Sequence, residues 1–290
     1  MIEESLGNHL RAQQELAHFL TTYDGEPAIF SQEAPPSDDT SWAAGPQYGR
    51  IVFAVDLQGD PERTIGGQLV VDILCYKGAG TKGYPEDIEP LLRPLIRGWF
   101  FSSEKLTVAA QWKSTDFIPD AYDEVSICTL VFELLAFPVL TTSGVDVVSR
   151  LNEWTSKIEG LYVINHDKLP APAWKPGDGE SAIYWRRQSV GPSQKIRPRY
   201  AMIGRTAIIK GHIFSEDIAT ASSVADDLIL RLYAAKRLLK PPESPIMVDD
   251  RNTQDDGADP LRMGQLTVEA TYTIMRYAQT EGTLNNINFK

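Results

Sequence analysis

The stretch TIGGQLVVDILCYKG, residues 64–78, reads as a β-strand behind a glycine pair. About 138 residues further on, RTAIIKGHIFSED, residues 205–217, reads as another strand leading into another helix. Few letters match, but the neighbours of the two stretches recur in one order. Upstream of the first, IVFAVDL at 51–57 alternates as a strand. Before it, a helix is expected over 3–22, apolar at Leu6, Leu10, Leu16 and Leu20 with charges between. The breaker-rich loop GEPAIFSQEAPPSDDTSWAAGPQYG joins the two. Gly66 and Gly67 read as turn residues between strands. Downstream, DIEPLLRPLIRGWF at 87–100 has a helical apolar face. Pro90 suits its first turn, and Pro94 lies deep enough to kink or shorten it. KLTVAAQW, a polar loop STDFIPDAYDE and the strand VSICTLVFELLAF at 125–137 complete this half.

The second half repeats the sequence of elements. An amphipathic helix at 145–160 precedes the Pro-rich loop NHDKLPAPAWKPGDGE and the strand AIYWRRQSV. The turn GPSQKIRPR leads into AMIGRTAIIKGHIF. A helix at 223–240, the segment PIMVDD, the acidic loop RNTQDDGADP and a strand at 264–277 follow. Two long units in the same order are paired globular domains, not a solenoid. The boundary falls in FPVLTTSGVD, giving domains 1–143 and 144–290. The expected fold class is α+β: two similar domains, each an antiparallel-type β-sheet flanked by helices.

The formal charge of −11 is unevenly spread. Residues 1–143 hold 21 acidic and 9 basic side chains, and residues 144–290 hold 18 and 19. Such a split suggests that the halves face different neighbours. It also argues against sequence-specific nucleic-acid binding, which draws on phosphate neutralisation by Lys and Arg. No run of 18 apolar residues occurs, so no membrane span is expected. The N-terminal segment carries acids and no apolar core of a signal peptide, which suggests a cytosolic protein. Cys75 and Cys128 sit in apolar strands without a CxxC partner, so buried reduced thiols are expected.

Motifs that carry chemistry are few. His9, His18, His166 and His212 form no HxH or HExxH pair. GAGTKG at 78–83 lacks the spacing of a phosphate loop, and GxSxG is absent. DDRNTQDDGADP has the composition of a calcium loop but not its spacing. No catalytic, cofactor-binding or metal-binding residue is therefore singled out, and the chain does not read as an enzyme. The strongest charge feature is basic. Arg186, Arg187, Lys195, Arg197, Arg199, Arg205 and Lys210 fall within 25 residues on two adjacent strands and their turn. A solvated face, a patch that meets an acidic partner surface and a DNA contact are the three readings, with Arg186, Arg187, Lys195, Arg197 and Arg199 as the candidate interface.

An N-terminal amphipathic helix, GEPAIFSQEAPPSDDTSW with GPQYGRIVFAVDL, then QLVVDILCY and a helix near 87–100 together resemble the tail-terminator and tail-completion proteins of tailed bacteriophages. In that family a small α+β domain forms a six-membered ring on the end of the tail tube. The resemblance implies a structural virion protein that ends tube polymerisation and joins tail to head. It implies no cofactor and no catalysis. Its partners would be further copies of the chain, the tail tube protein and head-completion or neck proteins, with DNA passing through the lumen unheld. The chain departs from the family pattern by carrying two units. Six copies could form a hexamer, or three a trimer with pseudo-sixfold symmetry. The implied location is the virion tail or neck, after assembly in the bacterial cytoplasm. The Pro-rich loops at 26–46 and 165–177 are expected to be arms that reach to neighbours. The alternatives are another neck or baseplate tail component, or a two-domain enzyme with a site built from loop carboxylates.

Overall fold

The computed structural model describes residues 1–43, 48–58, 66–78, 82–104, 106–122, 124–138, 145–164, 169–196, 202–238, 245–249, 251–255 and 264–275. In the first half, α1 (Ile2–Arg11) and α2 (Gln14–Ala17) lead to β1 (Thr22–Tyr23), β2 (Glu26–Pro27), β3 (Ile29–Ser31), β4 (Arg50–Leu57) and β5 (Gly67–Tyr76). Then come α3 (Pro85–Leu92), a 3-10 turn at Arg93–Leu95, β6 (Phe100–Ser102), β7 (Leu106–Tyr122) and β8 (Val125–Pro138). The second half holds α4 (Val147–Thr155), β9 (Leu161–Val163), β10 (Ala173–Trp174), β11 (Ser181–Pro192) and β12 (Met202–Ser215). It ends with α5 (Ile218–Ala235), β13 (Arg237–Leu238), β14 (Ile246–Val248), β15 (Gln254–Asp255) and β16 (Leu266–Met275).

Two mostly antiparallel sheets result, each flanked by helices: an α+β fold in two parts. The first sheet runs β3-β4-β5-β8-β7-β6, with β10 added beyond β6. The second runs β9-β11-β12-β16-β14-β13. These are the same path. In both, the outermost short strand pairs parallel to its neighbour, β3 with β4 and β9 with β11. The next three strands of each pair antiparallel, β4-β5-β8 and β11-β12-β16.

Each sheet buries one face under its own helices. Leu6 and Leu10 of α1, four apart on one helical face, pack with Ile88 and Leu92 of α3 onto Phe53, Val71, Ile73 and Phe132. Leu151 of α4 and Ala225, Leu228 and Leu232 of α5 cover Trp185, Ile209, Val268 and Ala270. Each such large apolar side chain, moved out of water, contributes ~1.5–3 kcal/mol. The helix starts are set by short polar side chains. Asp217 accepts from Thr220 N at 2.8 Å, and Asp146 accepts from Ser149 N at 3.2 Å. Pro85 opens α3, and Asp87 accepts from Tyr84 N at 3.0 Å.

Several elements differ from the sequence reading. The single helix over 3–22 is broken after Arg11, and α2 is one turn. The helix over 87–100 ends at Leu92, because Pro94 has no N–H for another helical bond and the chain tightens into the 3-10 turn. The polar loop STDFIPDAYDE is mostly strand: β7 continues to Tyr122, held by the register from Ser114↔Val131 to Ile118↔Ile127 with β8. Gly66 and Gly67 lie in the ladder rather than in a turn, with Gly66 N donating to Leu134 O at 2.6 Å. A Cβ at Gly66 would overlap Ala136, and one at Gly67 would overlap the Asp56 carbonyl. Close strand approach, not turn geometry, requires these glycines. The described part of the loop at 26–46 packs on its own chain. Trp42 stacks edge-on against Tyr23 and Phe30, and its indole N–H donates to Pro36 O at 2.9 Å.

The halves are joined by strand and by aromatic packing. Within the second Pro-rich loop, β10 pairs with β6 of the first sheet, Ala173 opposite Phe101 and Trp174 opposite Phe100. Pro172 O accepts from Ser102 N at 2.7 Å and from the Ser5 hydroxyl at 2.8 Å. Around this strand a third core forms from Phe100, Leu135 and Phe137 of the first half with Trp174, Ala182 and Tyr184 of the second. Phe214 meets Phe100 at 5.2 Å and Phe137 at 5.5 Å between ring centroids, both edge-to-face. Leu135 and Phe137 alternate along β8 with the helix-covered Leu134, as Ala182 and Tyr184 alternate along β11 with Ile183 and Trp185. The helix-free faces of the two sheets therefore meet there.

Candidate functional site

Between the halves lies an open cleft of about 1170 Å³. One wall is the end of the α3 segment and the β7–β8 pair, carrying Arg93, Arg97, Lys113 and Glu133. The other is the β12–α5 connection, with Glu216 and Asp217, and the end of β15 at Asp255. Two of the bases already hold acids: Arg93 contacts Glu89 at 3.4 Å, and Lys113 contacts Glu133 at 3.5 Å. Asp217 caps α5, and the Thr220 amide and hydroxyl bonds keep its carboxyl below the usual carboxylate range. That acid is ionised and occupied. Among the described residues, no group of three or more His, Cys, Asp or Glu could hold a metal ion.

The isolated titratable groups are structural. Burial, with smaller contributions from Glu86 and Asp87, pushes the Cys75 thiol up to about 12. Burial first, then nearby carboxylates, does the same to Cys128, again to about 12. Neither is a thiolate at neutral pH, and thiolate is the reactive form. His9 lies over Trp99 with ring centroids 3.9 Å apart, and its Nε2 bonds Leu95 O at 2.9 Å. Its burial lowers its pKa below the ordinary histidine value. Among the described residues no helix is long and apolar enough to cross a membrane.

The described members of the basic cluster picked out from the sequence, Arg186, Arg187, Lys195, Arg205 and Lys210, do not share one face. Arg186 stands opposite Lys210 across β11 and β12, while Arg187 stands opposite the core residue Ile209. Successive strand residues point to opposite faces, so the two arginines are divided between the faces of the sheet. Lys195 is bound by acids, with Glu269 Oε1 at 2.9 Å and Asp249 also in contact. Arg205 pairs with Tyr272 in the β12–β16 ladder. Lys210 donates to the Thr267 hydroxyl at 2.5 Å. Arg197 and Arg199 lie outside the described residues.

Sequence reading passed over the strand edges. β6 covers β7 only at residues 107–109, with one further pair of bonds between Gly98–Trp99 and Ala110. From Gln111 to Ile118, β7 has no strand partner on that side among the described residues. Phe117 and Ile118, 43% and 44% exposed, lie on this edge. β9 likewise covers β11 only at residues 181–183, and from Arg187 to Pro192 no strand is paired on that side among the described residues. The available signal was the alternation within WKSTDFI, hidden by its polar residues and by Pro119. Comparisons with protein-family models, curated proteins and solved structures give no match.

Proposed function

We propose that the chain is a structural assembly protein, the ring-forming subunit at the head-proximal end of a phage tail tube, which ends tube growth and joins tail to head. The observation that carries the reading is the strand order that recurs in the two sheets. A chain with two units of one topology, tied together by β10 and an aromatic core, supplies two like building blocks in one fixed relation. Such a block closes a ring by head-to-tail contacts, in which two different surfaces of each subunit meet. The unequal charge of the halves, the first strongly acidic and the second near neutral, supports a contact between unlike surfaces, since differing potentials steer association and fix register. A net negative chain also suits a channel through which DNA moves without being held.

Light scattering during size-exclusion chromatography, with electron microscopy of the same fractions, tests this. A hexamer, or a trimer with pseudo-sixfold outline, is the expected result. A monomer at every concentration sinks the reading. The cleft favours one second reading, a binding or catalytic site between the halves. A ligand screen by thermal shift separates it: small-molecule stabilisation lost in Arg97→Ala and Asp255→Asn would support the cleft over the ring.

A further inference from the structure

We infer that the subunits of this assembly join by β-augmentation, the open edge of β7 in one copy pairing antiparallel with the open edge of β11 in the next. This inference rests on the ring-forming reading. A strand edge presents a row of backbone donors and acceptors, and a second strand that satisfies them is bound by its main chain. Among the described residues, β7 in the first half and β11 in the second each carry such an edge. The open stretch of β7, residues 111–118, spans about 26 Å. That of β11 runs from Arg187 to Pro192.

The repeated topology sets direction. β11 occupies in the second sheet the place of β4 in the first. Three antiparallel steps, β4 to β5, β5 to β8 and β8 to β7, make β7 run opposite to β4. With the two sheets set side by side in the same orientation, β7 and β11 are opposite edges and run antiparallel. The helices of both sheets then lie on one side of a continuous sheet. Because the two edges differ, the contact is head-to-tail and leaves a further edge of each kind for the next copy.

Side chains select this pair of edges. On the helix-free face, β7 shows Ser114 and Asp116, which stand opposite Val131 and Thr129 of β8. The same face of β11 shows Arg186 and Ser189, opposite Lys210 and Ile208. On the helix side, Phe117 would lie diagonal to Arg187, an aromatic ring within reach of a base. The open stretch of β4 beyond Phe53 carries Asp56 and no base, so it does not match β7. Bulges at Lys113 in β7 and Gln188 in β11 mark where regular pairing is interrupted.

Cross-linking of the full chain tests the pairing. Ser114→Cys and Ser189→Cys are made separately, mixed and oxidised. Cys75 and Cys128 are buried thiols and do not compete. The expected product is the mixed 114–189 dimer in excess over either like pair. In parallel, Asp116→Arg and Arg186→Asp should each raise the concentration for half-assembly about tenfold. The double reversal should recover most of that loss, with circular dichroism confirming that every variant is folded. Rings that form without 114–189 cross-links and ignore both charge reversals overturn the edge pairing and leave the ring reading standing. A majority of 114–114 or 189–189 dimers overturns it in favour of a like-with-like contact. A wild-type chain that stays monomeric removes the ring reading, and the pairing with it.

Discussion

The two halves run one strand order through different proportions. In the first, the helix between the paired inner strands is α3 at 8 residues, and the strand beside β8 is β7 at 17. In the second, the corresponding helix is α5 at 18 residues, and the strand beside β16 is β14 at 3. One half lengthens a hairpin where the other lengthens a helix. The cores under the helices are alike in kind, aliphatic side chains of two helices on an alternating sheet face. The difference teaches that the packing of the inner strands fixes the topology, while the periphery is free to vary. Among the described residues it also leaves the first half with a long open edge on β7 that the second half does not repeat at the same place.

The largest expected effect comes from separating the halves. Phe137 is fully buried at the junction and touches Phe100, Tyr184 and Phe214. Phe137→Ala should cost about 3–5 kcal/mol, and urea unfolding followed by both tryptophan fluorescence and circular dichroism should change from one transition to two. Coincident transitions in the variant would show that β10 alone couples the sheets.

A smaller effect sharpens the contrast between the helices. Asp217→Ala removes the side-chain cap of the long α5 and should loosen its first turn, a smaller loss than that at the aromatic junction. Helix-specific hydrogen exchange should then rise in the second half and stay unchanged around α3, whose start is held by Asp87 and Pro85. Uniform exchange changes in both halves would deny that the helices are locally set.

The smallest effect is a pH dependence confined to the first half. The folded pKa of His9 is lowered, chiefly by burial, so the unfolded chain binds a proton more readily below the ordinary histidine pKa. The stability from neutral His9 is complete above that pKa of about 6.5. It is lost as pH falls towards and through the lowered folded value. His9→Gln should flatten the acid limb of the melting temperature between pH 7 and 5. An unchanged slope would mean that other groups carry the acid response.

Much of the fold is legible in the amino-acid sequence. Alternation in QLVVDILCY and TAIIKGHIF, and the leucine spacing of the helices, locate most elements because a half-buried strand or helix writes its period into the sequence. The site is less so. The division of Arg186 from Arg187 is open to the same period-two rule, but counting charges along the chain obscures it. Lys195 cannot be read at all, because its acids, Asp249 and Glu269, come from segments 54 and 74 residues away in the chain.

The α+β composition, the order of the main strands and helices in each half, the free buried cysteines and the unequal charge are all written in the amino-acid sequence. Those follow from local preference and from the composition of short windows. The tertiary structure decided that STDFIPDAY extends as β7, because the ladder of β8 holds polar residues that have weak strand preference of their own. It placed β10, a fragment of a Pro-rich loop, in the sheet of the other half, where exposed backbone on β6 needed a partner. Among the described residues it also left β7 open from Gln111 to Ile118 and β11 open from Arg187 to Pro192. Which edges a neighbour covers depends on how far each strand runs past the next, and that is a property of the assembled sheet, not of any one segment.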